Sequence, residues 1–111
     1  MTQTGTPRVL LCDLDGVVWL AHHPVPGSVE ALHAAEGAGC RVLYVTNNSF
    51  STVAEQEHHL ASIGLDATGR VVTSAMSAAS LLRPGQTVLV CGGSGLREEV
   101  ATAGCEVVVA H

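Results

Sequence analysis

Asp13-Leu14-Asp15-Gly16 follows directly on the apolar run Val9-Leu10-Leu11-Cys12. Two carboxylates two residues apart at a strand terminus are costly, because like charges repel and both lose water. Such a pair is kept where a cation or a proton transfer uses it, and Gly16 permits a turn that a Cβ would hinder. The plainer alternative is an acidic turn capped by solvent. A second run, Val42-Leu43-Tyr44-Val45, leads into Thr46-Asn47-Asn48-Ser49. A hydroxyl and two amides past a buried strand supply donors without charge, which suits phosphate oxygens. The plainer alternative there is an Asn-rich turn feeding a helix. Both signals at successive strand ends, a helix-length apart, are more specific than either alone.

The elements that must position these residues alternate. Val9 to Cys12, Val42 to Val45, Val71-Val72, Val88 to Cys91 and Val107 to Ala110 read as strands. The first, second and fourth are near-continuous apolar runs, as expected of strands covered on both faces. Ser28, after Pro26-Gly27, is expected to cap a helix through about Ala38. Thr52 and Glu55 have capping-box spacing for a helix ending at Gly64. A third helix opens near Ser74, with Met76, Ala79 and Leu82 on one face, and stops at Pro84-Gly85. Ser94 opens a fourth, closed by Gly104. This order predicts parallel crossovers in an α/β sandwich, with ligands at the carboxyl ends of the strands.

Asp13-Leu14-Asp15-Gly16 resembles the first motif of the haloacid dehalogenase superfamily, and Thr46-Asn47-Asn48-Ser49 its second. The "DGVVW" form, Val25-Pro26-Gly27, Thr73-Ser74-Ala75 and the stretch Val90 to Gly104 are similar to the NagD-like branch. That branch contains 4-nitrophenylphosphatases and phosphoglycolate phosphatases with a large type II cap. The resemblance implies a Rossmann-like three-layer α/β/α core in its N-terminal part, residues 1–83, then the start of an α/β cap at 84–111. It implies Mg²⁺-dependent hydrolysis of a small phosphorylated metabolite. Asp13 would be the nucleophile that takes the phosphoryl group, and Asp15 the general acid and base. Mg²⁺ would bind the Asp13 carboxylate and the Asp15 backbone carbonyl, while Thr46, Asn47 and Asn48 would hold phosphoryl oxygens. The superfamily also uses a lysine and a further acidic pair downstream. This chain has no lysine, and its only other aspartate is Asp66. The resemblance therefore implies the N-terminal part of a longer enzyme, expected to be nearly inactive by itself. The alternative is a truncated, non-catalytic remnant that binds phosphate or Mg²⁺ weakly.

Composition limits the rest. The 111 residues suit one domain, and 47% apolar against 14% charged residues excludes disorder by lack of hydrophobes. A net charge of −5 with no basic stripe argues against nucleic acid. No window approaches the roughly 18 uninterrupted apolar residues of a membrane span. Met1 to Pro7 shows no secretory signal, and Cys12, Cys40, Cys91 and Cys105 lack C-x-x-C spacing. They read as small buried hydrophobes in a reducing compartment, so the expected address is cytoplasmic. Gly92-Gly93-Ser94-Gly95 lacks the lysine of a phosphate-binding loop and reads as a tight strand-to-helix turn. His22-His23 read as an exposed loop, His58-His59 and Glu98-Glu99 as solvated helix faces. A signalling receiver domain would need a lysine and a separate acceptor aspartate, where Thr46 stands.

Overall fold

The computed structural model describes residues 9–21 and 23–109. Strands β1 (Val9–Asp13), β4 (Arg41–Thr46) and β5 (Val71–Thr73) form a parallel sheet in the order β1-β4-β5. Between them run α1 (Ser28–Gly37) and α2 (Val53–Ser62), as the alternation predicts. A short antiparallel hairpin, β2 (Trp19–Leu20) and β3 (His23–Pro24), interrupts the first crossover. Two-residue strands in a stretch rich in Pro, His and Gly carry too little periodicity to stand out from a loop. After β5 come α3 (Ser74–Ala79), β6 (Thr87–Val90), α4 (Ser94–Thr102) and β7 (Glu106–Val109). β6 and β7 pair in parallel as a separate two-stranded sheet. The expectations placed on Met1 to Pro7, His22 and Ala110 fall outside the described residues.

The main core gathers Leu14, Val18, Leu32, Val42, Tyr44 and Leu60, with Val29, Val53 and Ile63 packed against it. Burying each such aliphatic side chain contributes about 1.5–3 kcal/mol. Among the described residues the buried Tyr44 hydroxyl takes no hydrogen bond. Burial, then the nearby Glu36 carboxylate, pushes its pKa up to about 12. A second cluster, Val90, Val100 and Cys105 with Leu82, Val88 and Val107 against it, belongs to the β6–α4–β7 unit.

Several local expectations need correction. Leu11 is 67% exposed, and Val9, Leu10 and Leu89 are also exposed, so these apolar runs are not covered on both faces among the described residues. The helices cover the face carrying Val42, Tyr44 and Thr46, and Val45 and Val72 on the other face stay open. Ser28 does not cap α1: Gly27, at φ +85°, holds the N-cap position. The Ser28 hydroxyl instead donates to the carbonyls of Val25 (2.7 Å) and Val18 (3.2 Å), tying the helix start to the hairpin. α4 opens at Ser94 as expected, with Gly93 in the N-cap position. α3 ends at Ala79, burying Ala75 and Ala79 rather than Met76, and Leu82 passes into the second cluster. Of the four cysteines, Cys12 and Cys105 are buried, but Cys91 is exposed. The capping box stands as expected: Thr52 Oγ1 accepts from the Glu55 N–H, and Glu55 Oε1 from the Thr52 N–H.

Candidate active site

The strand register decides where the first motif lies. Asp13 pairs with Val45 across β1 and β4, and Thr46 pairs with Thr73 across β4 and β5. Neighbouring strands lie about 4.8 Å apart. Asp13 and Thr46 thus leave the sheet one residue out of step on adjacent strands. They sit at the carboxyl edge, where open α/β sheets bind ligands.

Leu14 anchors the loop between the two carboxylates. Its side chain is fully buried, and its N–H donates to the Val45 carbonyl at 3.2 Å. Its carbonyl accepts from Val17, Val18 and Trp19. Asp13 and Asp15, on either side of this buried residue, are both exposed. Gly16 adopts φ +84°, and its N–H reaches the Trp19 carbonyl at 2.7 Å. That turn brings Trp19 back so that its Nε1–H donates to Asp15 Oδ1 at 3.2 Å. The indole, 9% exposed, in turn meets the His59 ring at 5.4 Å between centroids. His59, read as part of a solvated face, is exposed yet packs on Trp19.

The second motif is held as firmly. Thr46, 3% exposed, accepts the Asn48 N–H on its Oγ1 at 3.0 Å. Asn48 Oδ1 accepts from the N–H groups of Phe50 (2.9 Å) and Ser51 (3.2 Å). The Asn47 carbonyl accepts from Ser74 Oγ at 3.0 Å. Asn48 therefore shapes its own turn through its oxygen, while the Thr46 hydroxyl keeps its single donor available.

The Gly92-Gly93-Ser94-Gly95 stretch is a strand-to-helix turn, as expected, and it also grips this loop. The Gly95 N–H donates to the Phe50 carbonyl at 2.8 Å. A Cβ at Gly95 would fall 2.1 Å from the Ser51 carbonyl oxygen and 2.8 Å from that of Ser49. Both obstacles are backbone atoms, so the loop itself would have to move. Gly95→Ala, although alanine is the better helix former, is expected to destabilise the protein by about 1–3 kcal/mol. A thermal melt checks this, and an unchanged or raised midpoint would contradict the packing.

The expected site residues are brought together in part. Asp15 and Asn48 border one cleft of about 140 Å³. Thr46 and Asn47 line another of about 240 Å³ with Thr73 and Ser74. Asp13 borders a third, with Leu10, Leu11 and Ser28. Among the described residues no group of three His, Cys, Asp or Glu side chains converges on one point. Oxygen donors at the strand end are the Asp13 carboxylate, for which the described residues supply no ion pair, and the Asp15 carbonyl, which takes no backbone N–H there. Burial, then the Asp13 charge, pushes the adjacent Cys12 thiol up. Trp19, Ser74 and Gly95 support the site in roles that the motifs containing them did not assign. The one available signal was the "DGVVW" spacing, which returns Trp19 to Asp15 through the Gly16 turn.

A family model described as haloacid dehalogenase-like hydrolase matches residues 10–106. The chain is 44% identical over 100 residues to D-glycerol 3-phosphate phosphatase of Mycobacterium tuberculosis, covering 86% of this chain and 28% of that protein. It is 37% identical over 110 residues to chronophin of Homo sapiens, covering 90% of this chain and 37% of that protein. Among solved structures, the glycerol phosphate phosphatase of M. tuberculosis in complex with magnesium superposes with a TM-score of 0.81 at 42% identity, covering 91% of this chain and 31% of that chain. NagD of E. coli superposes with a TM-score of 0.76 at 27% identity, covering 98% of this chain and 47% of that chain. The chain thus spans about a third of the length of the curated relatives named here.

Proposed function

Because the chain belongs to the haloacid dehalogenase-like hydrolase family, we propose that the protein is a Mg²⁺-dependent phosphatase of small phosphate monoesters, working through an aspartyl-phosphate. The observation that carries this reading is the register that sets Asp13 beside the Thr46 loop at the carboxyl edge of one parallel sheet.

The steps use this chain's own groups. An Asp13 carboxylate oxygen attacks phosphorus as the ester P–O bond breaks, and the departing oxygen takes its proton from Asp15. A water then attacks the phosphoryl group and gives its proton to Asp15. The Asp13–phosphorus bond breaks, releasing phosphate and restoring the carboxylate. The Thr46 hydroxyl, with Asn47 and Asn48, binds the phosphoryl oxygens. Trp19 holds Asp15 Oδ1, which leaves Oδ2 to carry the transferred proton.

The donor set fits Mg²⁺, a hard cation that takes oxygen ligands, keeps several waters and uses one or two carboxylates plus substrate phosphate. Asp13 through its carboxylate and Asp15 through its carbonyl would hold it. Its charge offsets the repulsion between carboxylate and phosphate, which is about 4 kcal/mol per charge pair at 4 Å and an effective dielectric of 20.

The β6–α4–β7 unit has its own sheet and apolar cluster, which supports reading residues 84–111 as the start of a cap. The substrate is a small phosphorylated metabolite. No helix of the described residues is long and apolar enough to cross a membrane. The buried Cys12 and Cys105 fit the reading of small hydrophobes in a reducing, cytoplasmic setting. Phosphate release from 4-nitrophenyl phosphate and glycerol 3-phosphate by the full-length protein tests the reading. Activity restored by Mg²⁺ after chelation is expected, and hydrolysis indifferent to EDTA overturns it.

A further inference from the structure

The loop of the second motif is held by a group that lies outside both motifs. Thr46 and Thr73 end β4 and β5 as a register pair, so Asn47 and Ser74 leave the sheet side by side. Thr73 is buried, and its Oγ1 accepts the Met76 N–H at 3.2 Å, which starts α3 at Ser74. Ser74 is therefore fixed by a strand pair before it and a helical turn after it. From there its Oγ donates to the Asn47 carbonyl at 3.0 Å. The Asn48 N–H, on the same peptide unit, donates to Thr46 Oγ1 at 3.0 Å.

In a planar trans peptide the C=O and the N–H point in opposite directions, so fixing both ends admits one orientation of the unit. With the Asn48 N–H on a lone pair of Thr46 Oγ1, the hydroxyl's own proton turns away from that N–H. Were the unit to flip, the Asn47 carbonyl would face Thr46 and compete for that proton. We propose that Ser74 is a positioning residue for phosphate recognition: by holding the Asn47 carbonyl, it keeps the peptide unflipped and the Thr46 hydroxyl free to donate to a phosphoryl oxygen. The inference rests on the phosphatase reading, in which Thr46 binds phosphoryl oxygens, and deepens it. Hydrogen bonds in series polarise one another, so the chain from Ser74 through the peptide to Thr46 also strengthens the last donor.

The test compares wild-type full-length protein with Ser74→Ala, Ser74→Thr and Thr46→Val. Calorimetric titration with inorganic phosphate at saturating Mg²⁺ requires no turnover. Ser74→Ala should weaken phosphate binding about three- to tenfold, the worth of one hydrogen bond expressed as an affinity ratio. Ser74→Thr keeps the hydroxyl and should stay within about twofold of wild type. Wild-type affinity in Ser74→Ala, a loss that Ser74→Thr shares in full, or no phosphate binding by wild-type protein overturns the assignment. Alanine is the better helix former, so the fold should persist. A lowered melting midpoint with unchanged phosphate affinity would mean a structural role alone, and overturns it too.

A double-mutant cycle on kcat/KM for 4-nitrophenyl phosphate shows whether Ser74 acts through Thr46. In the Thr46→Val background the hydroxyl to be oriented is gone, so Ser74→Ala should cost less than about twofold there. A serine that touched phosphate directly, or only steadied the fold, would cost the same in both backgrounds, and that additivity overturns the proposal. Weakened phosphate binding by Ser74→Ala, in a protein that hydrolyses no ester, would sink the phosphatase reading and leave the positioning role standing. Hydrolysis by the wild-type protein, with Ser74→Ala binding phosphate as tightly, would do the reverse.

Discussion

Asp13→Asn abolishes turnover: the expected loss is on the order of 10⁵- to 10⁶-fold, the scale of removing a covalent nucleophile. At about 1.4 kcal/mol per factor of ten, this corresponds to roughly 7–8 kcal/mol of transition-state stabilisation. An amide oxygen is a poor nucleophile toward phosphorus and cannot balance a cation. The substitution is nearly isosteric, and Asp13 is exposed with its backbone already paired to β4. The fold should therefore persist while the chemistry stops. The measurement is phosphate release from 4-nitrophenyl phosphate at saturating Mg²⁺, with circular dichroism confirming the fold. Normal hydrolysis by purified Asp13→Asn protein would refute the nucleophile.

Asp15→Asn should behave differently. An amide oxygen at this position still accepts the Trp19 indole N–H, so the loop keeps its geometry. Proton transfer is what disappears, a contribution of about 10²- to 10⁴-fold. The loss should depend on the leaving group. An alkyl phosphate, whose alkoxide departs poorly without a proton, should fall by the larger factor. 4-Nitrophenyl phosphate should still phosphorylate Asp13, then stall because no base activates the water. Rapid mixing should show one equivalent of 4-nitrophenolate per site released quickly, followed by slow turnover. Loss of the rapid phase together with slow turnover would assign Asp15 to the first chemical step itself or to support of Asp13, and not to proton transfer.

Much of this arrangement was legible because its determinants are local. The apolar runs marked β1, β4 and β6, and the Thr52–Glu55 pair marked the start of α2 through reciprocal bonds within one turn. The positions of Asp13 and Thr46 past two such runs followed from the same periodicity. What the sequence does not disclose depends on contacts between distant segments. Ser28 has the composition of a cap, but the left-handed Gly27 and the nearby Val18 carbonyl give its hydroxyl another use. Gln56 sits at a core position of α2, which only the packing of the helix discloses. Gly95 reads as one glycine in a glycine-rich turn until the Ser51 carbonyl is found where its Cβ would be. The same holds for strand coverage: β1 has the composition of a central strand, yet only Cys12 and the following Leu14 are covered among the described residues.

That exposure puts Asp13 in a second physical setting, unrelated to phosphorus. Among the described residues β1 is the outer strand of its sheet, so within them one row of its backbone N–H and C=O groups faces away from β4. Val9, Leu10 and Leu11 stand exposed along it, an uncharged run with strong β-propensity. Open edges of this kind template pairing with other chains, and a flanking charge acts as a gatekeeper against it. Asp13 is the charge that ends this run. Among the described residues, the position proposed to attack phosphate is thus also the one whose charge closes an exposed apolar run, and Asn there removes that charge as well as the nucleophile.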